Sequence, residues 1–175
     1  MGGVNMGKVI NTSIEGYRLR FAEEKDVPLI LKFIKELADY ENLLHEVVAT
    51  EEILMDSLFK RKAAEVIIGE YNEEPVGFAL IFYNFSTFTG KPGIYLEDLY
   101  VRPEMRGKGF GKCLLSFLGK LAVERDCKRV EWWCLDWNES SIEFYKEMGA
   151  IPMDEWTVYR VCDEGLDKLA REFHK

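Results

Sequence analysis

Apolar and polar positions along the first half of the chain predict mostly strands. Runs with strand character are separated by turns rich in glycine, asparagine and proline. They cover residues 17–21, 64–71, 76–85 and 94–101. The first run has the pattern of a short edge strand. Apolar residues at helical spacing from Leu29 to Leu37, behind Asp26 as an N-cap, predict a helix after it, and Thr50 can cap a second helix.

In the second half of the chain the pattern changes to helices that alternate with strands. A long helix opens at residues 107–111, a strand is predicted over 129–135, and a helix over 138–148 ends at Gly149. A last strand over 156–161 precedes a short C-terminal helix. An antiparallel half that feeds a βαβα half predicts an α/β fold (α+β in its mixed sheet), with a twisted, mostly antiparallel sheet and helices on both faces.

Length, composition and charge narrow the classes of partner. A chain of 175 residues, 47% of them hydrophobic, suits one domain, placed at 14–175 behind a disordered stretch over 1–13. No apolar run approaches the ~20 residues of a membrane span, so we expect no membrane partner. The net charge of −8 argues against nucleic acid and suits a cationic ligand. Four cysteines without a C-x-x-C pair predict no metal site, and reduced thiols in a cytoplasmic protein.

The most informative stretch is the glycine-rich loop from Arg106 to Gly111, between a predicted strand and a predicted helix. Glycines permit positive φ and a close approach of the backbone to a ligand, and a helix N-terminus attracts anions. Arg106, Lys108 and Lys112 add positive charge, so the loop suits a pyrophosphate. A Walker A loop would need Gly at position 106 and Ser or Thr at 113, and no G-x-G-x-x-G can be placed on the loop. Both nucleotide-binding interpretations therefore fail.

The loop and three flanking stretches together resemble a known family. Arg106-x-x-Gly109-x-Gly111 resembles the coenzyme A pyrophosphate loop of the GNAT acetyltransferase superfamily. Three stretches are similar to the spermidine/spermine N-acetyltransferase branch of that superfamily, which includes the diamine and thialysine acetyltransferases. They are residues 35–41 (KELADYE), 95–99 (YLEDL) and 137–150 (WNESSIEFYKEMGA). The resemblance covers nearly the whole chain. It implies the GNAT fold, acetyl-coenzyme A (acetyl-CoA) as co-substrate and a homodimer.

Acetyl transfer from a thioester to an amine needs a proton acceptor, a proton donor and groups that stabilise the oxyanion. Because an alkyl ammonium has a pKa near ~10.4, a carboxylate must take its proton, directly or through water. Glu97 and Asp98 lie in the strand before the loop, and alternation allows only one of them to point into a cleft. The resemblance implies Glu97 for this role, and Tyr145 as the acid that protonates the departing thiolate.

The resemblance also implies residues around the coenzyme. A bulge around residues 99–101 would free backbone N–H groups for the thioester carbonyl and the pantetheine arm, which Asn138 and Ser141 would also hold. The candidate coenzyme-binding residues are Leu99, Tyr100, Val101, Arg106, Gly107, Lys108, Gly109, Phe110, Gly111, Lys112, Asn138, Ser141 and Tyr145.

A pocket for a cationic amine needs carboxylates and aromatic faces. The candidate acceptor-binding residues are Tyr40, Glu41, Glu97, Asp98, Glu131, Trp132 and Trp133. Glu131 and Trp133 should share one face of their strand, and Asp154 and Glu155 are further candidates.

These residues predict an enzyme in which the primary amine of a small cationic acceptor attacks acetyl-CoA directly. The acceptor would be a diamine, a polyamine or a lysine-like amino acid. Two alternatives stay open. A protein or peptide N-acetyltransferase of the same fold would need a flat, open groove, and a non-catalytic coenzyme A sensor would lack the acid and the base.

Overall fold

The computed structural model describes residues 8–173. Two compact units make up the chain, Met1–Trp133 and Cys134–Lys175. The single domain predicted over 14–175 stays a prediction. Among the described residues, no helix is long and apolar enough to cross a bilayer, and no three His, Cys, Asp or Glu side chains are grouped to hold a metal ion.

The first unit is built on a sheet of six strands in the order β1-β2-β3-β4-β5-β6. Neighbouring strands are antiparallel except β5 and β6, which are parallel. This confirms the mixed, mostly antiparallel sheet. The strands are β1 (Val9–Asn11), β2 (Tyr17–Phe21), β3 (Glu65–Tyr71), β4 (Glu74–Ser86), β5 (Lys91–Val101) and β6 (Val130–Glu131).

The helices of the first unit cover both faces of this sheet. They are α1 (Val27–Tyr40), α2 (Glu51–Leu54), which continues as a π-helical turn over Met55–Lys60, and α3 (Phe110–Glu124). Phe33 of α1 stacks on Phe78 of β4 with ring centroids 5.5 Å apart. On the opposite face, Phe110 of α3 stacks on Tyr17 of β2 at 4.1 Å. All four rings are buried, which confirms the predicted layers.

Two predicted caps differ in outcome. The Thr50 hydroxyl accepts the N–H of Ile53 and caps α2 as predicted. Asp26 occupies the N-cap position of α1, but its carboxylate does not cap that helix. It accepts two hydrogen bonds from Arg20 of β2 instead, because a buried carboxylate is stabilised more by a guanidinium than by a neutral N–H.

Arg20 is the centre of a largely buried ion-pair network between the sheet and the start of α1. It donates to Asp26 at 2.6 and 2.9 Å and to Glu70 of β3 at 2.8 Å, where Arg18 adds another hydrogen bond. Burial raises the pKa of Asp26, but hydrogen bonds from Arg20 and from the Glu23 N–H outweigh it. Burial also raises the pKa of Glu70, where hydrogen bonds from Arg20 and Arg18 outweigh it. Both pKa values are therefore lowered.

We expect Arg20→Met to lower the free energy of unfolding by about 3–5 kcal/mol, because the buried Asp26 loses its guanidinium partner and Glu70 keeps only that of the partly exposed Arg18. Carboxyl groups with lowered pKa values stabilise the fold above their usual pKa, and this stabilisation is lost as pH falls through the folded-state pKa. The difference in the free energy of unfolding between the variant and the wild type should be largest at neutral pH and should become smaller in acid. Denaturant unfolding across pH tests this. Arg18→Met, at a side chain that is 37% exposed, is the control with a smaller loss, and a pH-independent difference would contradict the assignment.

Four predicted segments differ in the structure. Tyr17–Phe21 is not an edge strand, because Val9–Asn11 pairs outside it. These outer residues belong to the stretch 1–13 that was expected to be disordered, and residues 1–7 lie outside the described part of the chain. The strand predicted over 129–135 is reduced to Val130–Glu131, and no strand forms over 156–161. Alternation indicates a residue's face, whereas a strand also needs a neighbour in a hydrogen-bonded ladder.

The second unit contains α4 (Glu139–Glu147) and α5 (Asp163–Glu172). Asn138 caps α4, since its side chain accepts the N–H of Ser141, and Gly149 follows the helix with a φ of +85°. Both ends of α4 therefore lie within one residue of the prediction, and the C-terminal helix is confirmed.

Candidate active site

β5 leads directly into the glycine-rich loop. A 3₁₀ turn over Pro103–Met105 follows the strand, and Gly109 is the N-cap of α3. Gly107 and Gly109 have φ angles of +77° and +83°, so both positions use the conformational freedom of glycine. A Cβ added at Gly107 would meet nothing within 4 Å, and one at Gly109 would meet only the Ile14 side chain, at 3.5 Å. No described side chain caps α3, which leaves its first N–H groups available to an anion.

Two of the loop cations lie against aromatic rings. The Arg106 guanidinium lies 4.4 Å from the ring centroid of Tyr40, at the end of α1, and donates its Nε–H to the Val101 carbonyl at 3.0 Å. The Lys108 ammonium lies 5.4 Å from the ring centroid of Tyr71. Lys112 is exposed in the first turn of α3. The loop therefore carries the predicted positive charge, and Arg106 connects it to the end of α1.

A β-bulge at Glu97 divides β5 into two parts. Leu96 and Asp98 pair with consecutive residues of β4, so Glu97 is the additional residue. The extra residue reverses the alternation along the strand. Asp98 therefore shares a face with Tyr100, whose buried ring lies 6.0 Å from Phe33 of α1. We call this side of the sheet the α1 face.

The bulge lies upstream of the position that the family resemblance implied. Leu99, Tyr100 and Val101 pair in regular register with β4, so the bulge predicted there was wrong. The argument that only one of Glu97 and Asp98 can point into a cleft also fails, because side chains do not alternate between the two faces across a bulge. On its other edge, and among the described residues of the first unit, β5 pairs with β6 only at Ile94 and Tyr95. That edge of residues 99–101 can still supply backbone groups to a ligand.

Three carboxyl groups form an acidic patch, consisting of Glu41, Glu97 and Asp98. Asp98 is half-buried, while Glu97 is exposed on the bulge and Glu41 is half-buried directly after α1. Burial, and then the charges of Glu97 and Glu41, raise the pKa of Asp98 to about 7. Burial also raises the pKa of Glu41. The patch therefore holds a carboxyl group that exchanges its proton near neutral pH.

An aromatic row crosses the α1 face on the other side of the bulge. It consists of Phe82 of β4, Tyr95 of β5 and Trp133, with ring centroids 4.8 Å apart for Phe82 and Tyr95 and 6.0 Å apart for Tyr95 and Trp133. Trp133 is exposed and Trp132 is half-buried. Sequence reasoning missed Phe82 and Tyr95. Alternation along β4 could have placed Phe82, but only the bulge puts Tyr95 on the same face as Asp98.

Glu131 does not belong to the acidic patch. The Asn84 amide donates to its carboxylate at 2.5 Å, and Arg129 pairs with it at 2.7 Å. Glu131 is in register with Tyr95, on which the Trp133 ring also packs, so Glu131 and Trp133 lie beside the same residue. Its negative charge is balanced by Arg129.

The remaining candidates lie in the second unit. Tyr145 of α4 is half-buried, with its ring centroid 5.3 Å from that of Phe144. Asn138 and Ser141 are joined by the cap of the same helix. Asp154 and Glu155 are exposed.

Comparison with known proteins identifies the family. Residues 32–150 match the acetyltransferase (GNAT) family. The chain belongs to this family. The GNAT protein is 34% identical to thialysine N-epsilon-acetyltransferase of Sus scrofa, over 87% of this chain and 96% of that protein. It is 32% identical to L-ornithine N5-acetyltransferase of Arabidopsis thaliana, over 87% of each chain. The predicted superfamily and its diamine/thialysine branch are confirmed.

A solved structure supports the fold. An integron cassette protein from the mobile metagenome of V. cholerae superposes with a TM-score of 0.75, at 26% identity, over 89% of this chain and 98% of that one. The GNAT protein is therefore an acetyl-transferring enzyme, as predicted, since both named relatives are acetyltransferases. The alternative of a non-catalytic sensor is not supported.

Proposed function

We propose that this enzyme transfers the acetyl group of acetyl-CoA to the primary amine of a small cationic acceptor, a diamine, a polyamine or a lysine-like amino acid. One observation carries the proposal. Two of the three carboxyl groups of the acidic patch, Glu97 and Asp98, lie on the strand that leads into the glycine-rich loop, so that a site for a cation adjoins a site for an anion. The two relatives act on amines according to their names, which agrees with this acceptor class.

The loop residues suit the pyrophosphate of the coenzyme. Gly107 and Gly109 present backbone without side chains, and the uncapped N-terminus of α3 supplies N–H donors. Arg106, Lys108 and Lys112 supply cations. Phe110 is buried against Tyr17 and anchors the helix behind the loop. Acetyl-CoA supplies the acetyl thioester, and Asn138 and Ser141 would hold its arm.

The acidic patch would bind the ammonium group and then remove its proton. Two features support a direct role for Asp98 beside Glu97, the residue implied by the family resemblance. Asp98 faces α1, half-buried, and its pKa of about 7 suits a group that accepts a proton at neutral pH. Glu97 is exposed and raises that pKa by its charge. Glu97 would act through water, or through Asp98.

Tyr145 would complete the reaction as the acid. A phenol with a pKa near ~10 stays protonated at neutral pH and can donate to a departing thiolate. Backbone N–H groups of residues 99–101, on the edge of β5 away from β4, would stabilise the oxyanion, because main-chain donors need no reorganisation during the reaction.

Replacing each carboxylate separately distinguishes their roles. We expect the wild-type rate to rise with an inflection near pH 7, because a group with a raised pKa must lose its proton before it can act as a base. Asp98→Asn should lower turnover by roughly 10²–10⁴-fold and remove this inflection. Glu97→Gln should retain the inflection but move it to lower pH, since one of the charges that raise the pKa of Asp98 is gone. Steady-state rates from about pH 5.5 to 9.5 with saturating diamine and acetyl-CoA test this.

Glu46→Gln is the matched control, because it removes an exposed carboxylate after α1 that lies outside the acidic patch. If Asp98→Asn keeps both the inflection and the rate while Glu97→Gln loses them, Glu97 alone is the proton acceptor. If the enzyme acetylates no small amine in a panel of diamines, polyamines and basic amino acids, the proposed acceptor class is wrong.

A further inference from the structure

A second polar cluster lies on the α1 face, across the aromatic row from the acidic patch. It consists of Asn84 of β4, Glu131 of β6 and Arg129, which precedes β6. Gly93 of β5 makes room for it. A Cβ added at Gly93 would lie 2.4 Å from Asn84 Oδ1 and 2.8 Å from Arg129 Cγ, so Arg129 can lie over the strand only because position 93 has no side chain.

The cluster leaves hydrogen-bonding capacity unused inside the protein. In the described part of the chain, Asn84 Oδ1 and Arg129 Nε are buried and have no hydrogen-bond partner. Arg129 Nε lies 2.7 Å from the Glu131 carboxylate as an ion pair, but not in hydrogen-bonding geometry. Buried polar groups are satisfied in the large majority of cases, so the unpaired Asn84 Oδ1, beside an Arg129 Nε that is ion-paired but not hydrogen-bonded, indicates a missing partner.

We infer that Arg129, Glu131 and Asn84 bind the α-carboxylate and α-ammonium of an amino-acid acceptor, whose ω-amine lies at the acidic patch. The inference rests on the proposed function and specifies its acceptor. A guanidinium is the preferred partner of a carboxylate, which it can bind through two parallel hydrogen bonds. The Glu131 carboxylate and Asn84 Oδ1 are acceptors for an ammonium. The cluster thus offers both halves of a zwitterion a partner.

The spacing suits a basic amino acid with an extended side chain. Gly93 and Asp98 are five positions apart on β5, and the bulge takes up one of them. At ~3.3 Å per residue, the two positions are about 13 Å apart along the strand. Side chains that lean inward from both ends shorten this distance. A lysine- or ornithine-like chain with a hydrogen bond at each end fits this interval. The aromatic row lies between the two ends and would cover its methylene groups.

Charge distinguishes an amino acid from a diamine. The second ammonium of a diamine would meet a carboxylate that Arg129 already neutralises, and the guanidinium would repel it. The zwitterionic head of an amino acid has no net charge and matches both members of the ion pair. The acidic patch attracts the ω-ammonium of either acceptor, so preference between the classes is decided at the Arg129 cluster.

Arg129→Gln tests the inference by an effect of opposite sign on two acceptors. Lysine and 1,5-diaminopentane differ only in the α-carboxylate. In the variant we expect KM for lysine to rise roughly 10- to 100-fold, as for loss of a charge-assisted hydrogen bond, while KM for the diamine falls because Glu131 is released. Ornithine and 1,4-diaminobutane repeat the comparison at a shorter length. Lys128→Gln, which removes an exposed cation next in the chain, should leave both KM values unchanged.

A variant that loses stability would be impaired with both acceptors, so opposite shifts are not explained by misfolding. Equal changes for lysine and the diamine, or no change for either, would overturn the inference. A wild-type preference for the diamine would do the same. These results leave the proposed function intact, since an amine is still acetylated. Failure of the proposed function is distinct, because no amine of either class would then be acetylated.

Discussion

Gly109→Asp should abolish measurable coenzyme binding and, with it, acetyl transfer. The substitution puts a carboxylate at the N-cap of α3, where the pyrophosphate is proposed to lie, and like charges in contact cost several kcal/mol in an interface. Gly109 has a φ of +83°, so backbone strain of about 1 kcal/mol accompanies the change. Calorimetric titration with coenzyme A measures the loss, and thermal unfolding shows whether the variant folds.

Two variants separate charge from strain and from general effects of substitution. Gly109→Asn has nearly the same shape as the aspartate and tolerates positive φ, but it carries no charge. It should retain most of the affinity that the aspartate loses. Gly119→Asp adds the same charge in the middle of α3, where an added Cβ meets nothing within 4 Å. Equal coenzyme affinity in wild type and folded Gly109→Asp would refute the pyrophosphate site.

Tyr145→Phe should lower turnover by roughly 10²–10⁴-fold, the usual contribution of a general acid. The substitution keeps the ring, and with it the contact to Phe144, so coenzyme affinity and stability should change little. Single-turnover measurement of thiol release, with both substrates bound, isolates the chemical step.

The control for Tyr145→Phe is Tyr159→Phe, which removes an exposed tyrosine hydroxyl from the same unit. It should have the wild-type rate. If Tyr145→Phe releases thiol at the full rate when chemistry is rate-limiting, the proton comes from water or another residue, and Tyr145 is a packing residue of α4.

Sequence patterns were most reliable where local chemistry decides the structure. Thr50 caps α2 because its hydroxyl needs only an N–H three residues ahead, and Gly149 follows α4 because few other residues adopt positive φ. The glycine-rich loop was interpreted correctly as the entry to a helix, since Gly109 is the N-cap of α3 and has a positive φ. These features depend on neighbours within a few residues, which the sequence contains in full.

Patterns failed where a distant partner decides. Asp26 was expected to cap α1, but Arg20 takes its carboxylate into an ion pair with Glu70. The prediction that Glu131 binds the acceptor stays a prediction, but the sequence did not show that the Asn84 amide of β4 would hold its carboxylate. Arg20, Glu70 and Asn84 come from other strands, and no spacing in the sequence shows which side chains meet there.

The amino-acid sequence by itself determined the family, the order of strands and helices in the first unit from Tyr17 onward, and the loop proposed for the coenzyme, because each follows from local conformation or from a motif. The tertiary structure decided how the acceptor side of the candidate site is arranged. The pairing of β4 with β5 puts the additional residue at Glu97 and thereby turns Asp98 to the α1 face with Tyr95. Glu41 arrives from the end of α1, and its charge, with burial and Glu97, sets the proton affinity of Asp98. A bulge depends on the register between two strands, and a pKa depends on charges and burial in three dimensions, so neither could be obtained from the order of residues alone.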